Sequence, residues 1–177
     1  MWLYPEVRTL GQFIAYHAKH TPERRALLWE DRTISFAEYD AAASRIANGL
    51  SGMGVAPGDR VGFMGLNSPD FYFALTGTAR ARGAFTVFNW RLAAAELAQL
   101  ISDSATRLTV VERDLEPLWT AALVLSGREV ETLWIDAHDT LEKRFASEST
   151  EPPDEWISEE DTAVQLYTSG TTGVPKG

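Results

Sequence analysis

Cysteine is absent from the 177-residue sequence. Its absence excludes disulfide bonds, thiolate metal sites and a cysteine nucleophile within this stretch. No apolar run approaches the roughly 20 residues that a bilayer-spanning helix requires. The first ten residues also lack the basic and apolar regions of a signal peptide. These absences predict a cytoplasmic protein with no membrane span.

Positive charge is scarce, because 16 lysines and arginines face 25 aspartates and glutamates, for a formal net charge of −9. Such a surface repels phosphodiester backbones and anionic membranes, so nucleic acid is not expected as a partner. The three histidines have no metal-like spacing. Hydrophobic residues make up 45% of the chain, as in an ordinary globular domain. A nucleotide can still bind through a local arrangement of donors.

Apolar strand patterns alternate with amphipathic helix patterns along the chain. Helices are predicted at about 9–19, from 36 into the 51–54 segment, and at 69–82, 92–102, 115–125 and 140–146. Ser35 and Glu38 form a capping-box pattern before the second helix, a glycine in 51–54 is expected to close it in the left-handed conformation, and Gly83 is expected to end the third. Strands are predicted at 25–29, 32–34, 60–65, 84–88, 107–112, 132–135 and 162–167. The first two strands form a hairpin. The alternation of the others predicts an α/β fold, with an open, mainly parallel sheet, flanking helices and ligands at the carboxyl ends of the strands.

The composition changes near residue 148. Between 148 and 161 the sequence has seven acidic residues and no basic one, with Pro152 and Pro153 in the middle. We interpret this stretch as a solvated acidic connection. The predicted organisation is therefore an α/β subdomain at 1–147, a connection at 148–161, and a strand with a phosphate loop at 162–177 that opens a further subdomain.

Polar chemistry is concentrated after the segment 162–167, which is predicted to be a buried strand. The next ten residues, TSGTTGVPKG (168–177), contain four hydroxyls, three glycines and one lysine. Glycines let backbone N–H groups turn toward a ligand. Hydroxyls and lysine donate to phosphate oxygens, and hydroxyls also bind Mg²⁺. The segment therefore predicts a polyphosphate-binding loop rather than an ordinary turn.

A Walker A loop is excluded at this position. That motif requires glycine before the lysine and serine or threonine after it. Here Pro175 precedes Lys176 and Gly177 follows it. Pro175 also removes a backbone donor that a Walker loop uses.

The segment YTSGTTGVPKG (167–177) resembles the phosphate-loop signature of the acyl-adenylate-forming (AMP-binding) superfamily. This superfamily includes acyl-CoA synthetases, luciferases and the adenylation domains of peptide synthetases. Shorter segments also resemble the family: ISFAEY at 34–39, GVAPGDRV at 54–61, LNSPD at 66–70, and NWRL at 89–92 with Glu96 and Leu97 after it. The resemblance covers nearly the whole chain and is strongest to acyl-CoA synthetases and fatty-acid–CoA ligases.

The resemblance implies part of the large N-terminal domain of an enzyme that converts a carboxylic acid and Mg-ATP into an acyl-adenylate and pyrophosphate. Coenzyme A would then take the acyl group as a thioester. The hydroxyls would bind the ATP phosphates, the glycines would shape the loop, and the lysine would balance the leaving-group charge. Thr168 would also lie near Mg²⁺. The implied ATP-binding residues are Thr168, Ser169, Gly170, Thr171, Thr172, Gly173 and Lys176.

Other parts of the family's machinery are missing from this sequence. They include the adenine-binding loop, the magnesium glutamate, the ribose-binding aspartate and the C-terminal domain with its catalytic lysine. We therefore expect an N-terminal fragment that is inactive by itself, with no catalytic residue of its own. Two alternatives stay open: an adenylating enzyme with a non-CoA acceptor, and a non-catalytic module that dimerises or binds a partner. The acid and the oligomeric state, for which a homodimer is one candidate, are also open.

Four further polar residues match family segments but are expected to be structural. Asp59, Arg60 and Asn67 follow the pattern of turn and capping residues. Arg91 is assigned a structural role, such as a salt bridge, ahead of a substrate contact.

Overall fold

A computed structural model describes residues 7–153 and 157–168. Its helices are α1 (Leu10–His20), α2 (Phe36–Gly52), α3 (Pro69–Arg80), α4 (Ala94–Ser104), α5 (Glu116–Ser126) and α6 (Leu141–Arg144). Its strands are β1 (Arg25–Trp29), β2 (Arg32–Ser35), β3 (Arg60–Met64), β4 (Ala84–Val87), β5 (Leu108–Glu112), β6 (Glu131–Ile135) and β7 (Val164–Gln165). No helix within these ranges has the length and apolar character needed to cross a bilayer.

The predicted open parallel sheet is confirmed. Five strands pair in the order β6-β5-β3-β4-β7, and every pairing is parallel. The hairpin of β1 and β2 forms a separate antiparallel sheet. The chain passes from β3 to its neighbour β4 and then returns across β3 to β5. The direction of the connections therefore changes between β3 and β5, where α/β sheets commonly hold their ligands.

Two apolar cores lie on opposite faces of this sheet. The larger core joins α2 and α3 to the sheet and includes Ile46, Phe73 and Phe85. The smaller core lies under α4 and α5 and includes Leu97 and Trp119. All five of these side chains are fully buried. Because both faces are covered by helices, the central strands are buried along nearly their whole length rather than at alternate residues.

Local signals account for several helix ends. The predicted capping box is confirmed: the Ser35 Oγ accepts from the Glu38 backbone N–H at 3.3 Å, and the Glu38 carboxylate accepts from the Ser35 backbone N–H at 2.7 Å. Gly54 has the left-handed conformation expected after α2, with φ of 81°. Ser68 occupies the N-cap position of α3, but its side chain makes no capping hydrogen bond.

The end of α3 differs from the prediction, which placed the break at Gly83. The helix ends at Arg80, and Arg82 has the positive φ, at 59°. The guanidinium of Arg82 is held by Asp161 at 2.9 Å, which supports this conformation. Gly83 is instead needed for close packing, because a Cβ there would lie 3.1 Å from the backbone oxygen of Asp59.

The strand predicted within 162–167 is confirmed, but its predicted length and burial are wrong. The strand β7 has only two residues and lies at the edge of the sheet. Val164 is 37% exposed and Leu166 is 60% exposed. An apolar run predicts burial only if a layer covers both faces, and an edge strand has one side without a neighbour in its sheet.

A buried guanidinium connects the three N-terminal helices. Arg80 in α3 is 3% exposed and forms an ion pair with Asp40 in α2. It also donates to the Ser44 hydroxyl at 2.7 Å and to the backbone oxygens of Asp40 at 2.9 Å and Gly11 at 3.3 Å. Removing the carboxylate would leave a buried charge with neutral partners only.

We therefore expect Asp40→Ala to lower the free energy of unfolding by about 3 kcal/mol. Urea denaturation of the purified protein measures this loss. The matched control is Glu159→Gln, which breaks the exposed Arg8–Glu159 pair at 3.3 Å and should change stability by less than about 1 kcal/mol. Equal losses in the two variants would contradict the role given to Arg80.

Candidate functional site

The predicted phosphate loop begins at Thr168, three residues after the end of β7. Parallel pairing places Val164 opposite Phe85 and Gln165 opposite Thr86 in β4. Because all five strands run in the same direction, the chain leaves β7 at the sheet edge where the loops after β3, β4 and β5 also emerge. Thr168 is exposed at this edge. The other predicted ATP-binding residues, which are Ser169, Gly170, Thr171, Thr172, Gly173 and Lys176, lie outside the described residues, so their contacts stay predictions.

The approach to β7 is held by backbone and side-chain contacts. The Phe85 N–H donates to the backbone oxygen of Ala163 at 2.9 Å. Asp161 accepts from the Arg82 guanidinium at 2.9 Å and from the Ser158 N–H at 2.9 Å. These donors lower the pKa of Asp161 below its ordinary value, with the Arg82 hydrogen bond as the largest cause. The end of the acidic segment therefore contacts the parallel sheet and α3 directly.

A network of hydrogen-bonded side chains connects β7 to β3 and α4. The Arg60 guanidinium in β3 donates to the Gln165 side-chain oxygen at 2.9 Å. The Gln165 side-chain amide donates to the Tyr167 hydroxyl at 3.1 Å. That hydroxyl in turn donates to the Asp103 carboxylate in α4 at 2.6 Å. The network joins β3, β7 and α4 one residue before Thr168. We refer to these four residues as the β7 tether.

The loop after β4 lies at the same edge of the sheet. The Asn89 side-chain oxygen accepts from the Arg91 N–H at 3.0 Å, and the Arg91 guanidinium lies 4.2 Å from the centre of the Trp90 ring. This is a cation–π contact rather than the salt bridge suggested by the sequence. Glu96 lies in the first turn of α4, and its carboxylate accepts from the Ala93 N–H at 2.8 Å.

A cleft of about 450 Å³ opens between the hairpin and the carboxyl ends of β5 and β6. Its charged lining residues are Glu30, Arg32, Asp70, Glu112, Arg113, Asp114, Asp136 and Glu142. Both arginines are paired within it: Arg32 contacts Glu142 at 2.7 Å, and Arg113 contacts Asp136 at 3.3 Å. Within residues 7–153 and 157–168, no group of three or more His, Asp or Glu residues is arranged to hold a metal ion. This cleft therefore has no evident cation site.

Asp70 is the buried carboxylate of this cleft. It lies in the first turn of α3, is 8% exposed, and accepts from the Leu141 N–H of α6 at 3.0 Å. Burial disfavours the charged form and raises the pKa of Asp70 to about 6. The hydrogen bond from Leu141 opposes this shift without cancelling it.

Two residues of the β7 tether, Asp103 and Gln165, were not identified from the sequence. Asp103 is 64 residues from Tyr167, so no local pattern joins them. The alternation of residues 164–167 indicates that Gln165 and Tyr167 share a face of the strand. The residues that meet this face depend on how α4 packs, which periodicity alone does not show.

Comparison with known proteins identifies the family. The family described as "AMP-binding enzyme" matches residues 14–177. A fatty acid–[acyl-carrier-protein] ligase, ScoC from Streptomyces coeruleorubidus, is 34% identical over 98% of this chain and 33% of its own length. A feruloyl-CoA synthase from an Amycolatopsis species is 33% identical over 95% of this chain and 32% of its own length. The inhibitor-bound N-terminal domain of FACL13 from Mycobacterium tuberculosis has a TM-score of 0.85 at 30% identity, over 97% of this chain and 44% of that one.

The chain therefore belongs to the AMP-binding enzyme family, whose relatives here include fatty-acid ligases and other acid-activating enzymes. This confirms the resemblance identified from the phosphate-loop signature. The chain spans about a third of the length of the curated relatives it matches. Its parallel sheet and flanking helices correspond to part of the N-terminal domain of an acyl-CoA ligase.

Asp70 predicts a pH-dependent stability. Its pKa of about 6 in the folded protein exceeds its ordinary value of 3.8, so the folded state binds the proton more tightly. The stabilisation is complete below pH 4 and is lost as the pH rises through 6. Relative to Asp70→Asn, the wild type should lose about 2 kcal/mol of unfolding free energy between pH 4 and pH 7. Urea denaturation across this range measures the difference.

Asp136→Asn is the control, because the stability contribution of Asp136 changes with pH in the opposite direction. Backbone N–H groups of His138 and Asp139 lower the pKa of Asp136 in the folded protein. Its contribution is therefore present at neutral pH and lost as the pH falls, so the wild-type advantage over this variant should grow with pH. Parallel pH profiles for the wild type and Asp70→Asn would contradict the assignment of Asp70.

Proposed function

We propose that this chain is the N-terminal portion of an ATP-dependent carboxylic acid:CoA ligase. The observation that carries the proposal is the segment TSGTTGVPKG, whose first residue, Thr168, comes three residues after the end of β7. Membership of the AMP-binding enzyme family supports it. The whole reaction belongs to a longer protein, because the chain spans about a third of its relatives' length.

The proposed reaction has two steps. A carboxylate oxygen of the acid forms a bond to the α-phosphorus of ATP, the bond from that phosphorus to the bridging oxygen breaks, and pyrophosphate leaves. The thiol of coenzyme A then forms a thioester with the acyl carbon, and AMP leaves. Negative charge develops on the departing pyrophosphate in the first step, so fixed donors around it lower the barrier.

Each residue of the loop has a role in this proposal. The hydroxyls of Thr168, Ser169, Thr171 and Thr172 donate to the β- and γ-phosphates, and Thr168 also lies near the Mg²⁺ that accompanies ATP. Gly170 and Gly173 let the backbone approach the phosphates closely. The Lys176 ammonium balances the charge of the leaving pyrophosphate. The exposure of the Thr168 side chain is compatible with a ligand contact.

The proposed domain organisation follows from the same segments. In this proposal residues 1–147 are an α/β subdomain, 148–161 an acidic connection, and 162–177 the strand and loop that lead into the next subdomain, with β7 paired to β4 of the first. Hydrogen bonds from the Asn48 side chain to the backbone oxygens of Ser149 and Glu151, both at 2.9 Å, hold the start of the connection against α2. A cytoplasmic location remains a prediction.

The acceptor is the least constrained part of the proposal. Coenzyme A is favoured by the NWRL stretch at 89–92, and one relative is named a feruloyl-CoA synthase. Another relative is named an acyl-carrier-protein ligase, which supports a carrier-protein thiol as the second candidate. Thioester formation with coenzyme A and with a purified carrier protein, measured side by side on the full-length gene product, decides between them.

Acid-dependent ATP–pyrophosphate exchange tests the adenylation step. The full-length gene product should exchange labelled pyrophosphate into ATP with one class of acid from a panel of fatty, aromatic and short branched acids. The 177-residue chain alone should show no exchange. Exchange by the short chain would contradict the assignment of activity to the longer protein. No exchange by the full-length protein with any acid would favour the alternative of a non-catalytic module.

Lys176→Ala should lower the adenylation rate about 100-fold, because a charge that neutralises the leaving pyrophosphate is removed. Formation of the thioester from supplied acyl-adenylate should change much less, since pyrophosphate takes no part in that step. Lys19→Ala, at an exposed position of α1, is the matched control and should leave both steps unchanged. Equal losses in both half-reactions of Lys176→Ala would exclude the role given to this lysine.

A further inference from the structure

The connection between Tyr167 and α4 is the strongest side-chain contact at the start of the phosphate loop. The Tyr167 ring is half-buried against the core under α4 and α5. Its hydroxyl donates to the Asp103 carboxylate at 2.6 Å and accepts from the Gln165 amide at 3.1 Å. Gln165 is itself held by Arg60 of β3. The hydroxyl therefore has a defined donor and a defined acceptor.

The backbone of β7 provides little support without these side chains. Only Val164 and Gln165 pair with β4. Among the described residues, no strand pairs with the other side of β7, and Leu166 is 60% exposed. Two paired residues alone hold a strand weakly. The position of the backbone at Thr168 therefore depends on the side chains that bind β7 to its neighbours.

Asp103 lies where a carboxylate is locally unfavourable, which indicates that a tertiary contact compensates for it. It lies in the last turn of α4, where the helix dipole disfavours a carboxylate. Residues that break a local rule are expected where a contact elsewhere compensates. The hydrogen bond from Tyr167 is that contact. Burial, and next the Asp103 carboxylate, raise the pKa of Tyr167, so its hydroxyl keeps its proton and continues to donate.

We infer that Tyr167 is a positioning residue for ATP binding, which fixes the phosphate loop by holding the end of β7 to Asp103 of α4. The inference rests on the proposed adenylating function. Tyr167 is not assigned a contact with ATP. It acts through the backbone that continues into Thr168 and the following residues. Loss of its hydroxyl should therefore weaken ATP use without affecting the steps that follow adenylation.

The test uses the full-length gene product and four variants: Tyr167→Phe, Asp103→Ala, their combination, and Tyr72→Phe as the matched control. The Phe variant keeps the ring and removes only the hydroxyl. Tyr72 is exposed on α3, and its hydroxyl makes no hydrogen bond to other parts of the described chain. The measurements are the KM for ATP in acid-dependent pyrophosphate exchange and the rate of thioester formation from supplied acyl-adenylate, both well below the unfolding temperature.

Tyr167→Phe and Asp103→Ala should each raise the KM for ATP about three- to tenfold, the range expected for one hydrogen bond. The combined variant should be no worse than either alone, because both changes break the same contact. Thioester formation from the adenylate should be unchanged, which a general loss of structure would not allow.

Three results would overturn the inference. Exchange in Tyr167→Phe that matches Tyr72→Phe would show that the hydroxyl does not position the loop. Equal losses in exchange and in thioester formation would show a general structural role instead. A wild-type protein that shows no exchange would overturn the proposed function itself. This outcome is distinguishable from the other two because it is seen in the wild type alone.

Discussion

The parallel pairing of β7 with β4 is the contact on which the candidate site depends. It turns an apolar segment near residue 164 into the edge strand of the sheet, and it directs the following residues to the carboxyl edge. Only two residues form this pairing. Its strength therefore comes from what surrounds it: the ion pair of Arg82 with Asp161 on the entering side and the β7 tether on the leaving side.

The rest of the domain provides a rigid base for that edge. The buried Arg80 guanidinium joins α1, α2 and α3 on one face, while Trp119 and the apolar side of α4 fill the other. Both cores contact the central strands, so β3 and β4 have little freedom to shift. The backbone that leads to Thr168 is therefore connected to both cores through β4 and α4.

Much of the fold could be predicted from the sequence, because the relevant signals are local. Alternating strand and helix patterns predicted the parallel sheet, and the capping box of Ser35 and Glu38 predicted the start of α2. The exposure of β7 could not be predicted in this way, since it depends on which strand lies at the edge. The break at Arg82 depended on a distant partner, Asp161.

The candidate site was predictable in its chemistry but not in its surroundings. Gly, Thr, Ser and Lys in one short segment indicate phosphate binding wherever the segment lies, and the family confirmed by comparison is compatible with that interpretation. The contact of Tyr167 with Asp103 spans 64 positions and depends on how α4 crosses the sheet. The pKa of Asp70 depends likewise on burial by α6, which no pattern near residue 70 indicates.

An isotope measurement shows directly whether an acid attacks the α-phosphorus of ATP, as proposed. The full-length gene product is incubated with ATP, coenzyme A and an acid whose carboxylate carries ¹⁸O, and the phosphorus products are analysed by mass spectrometry. Attack at the α-phosphorus leaves one ¹⁸O atom in the phosphate of AMP and none in pyrophosphate. Formation of ADP with ¹⁸O in inorganic phosphate would show attack at the γ-phosphorus and would contradict the proposal.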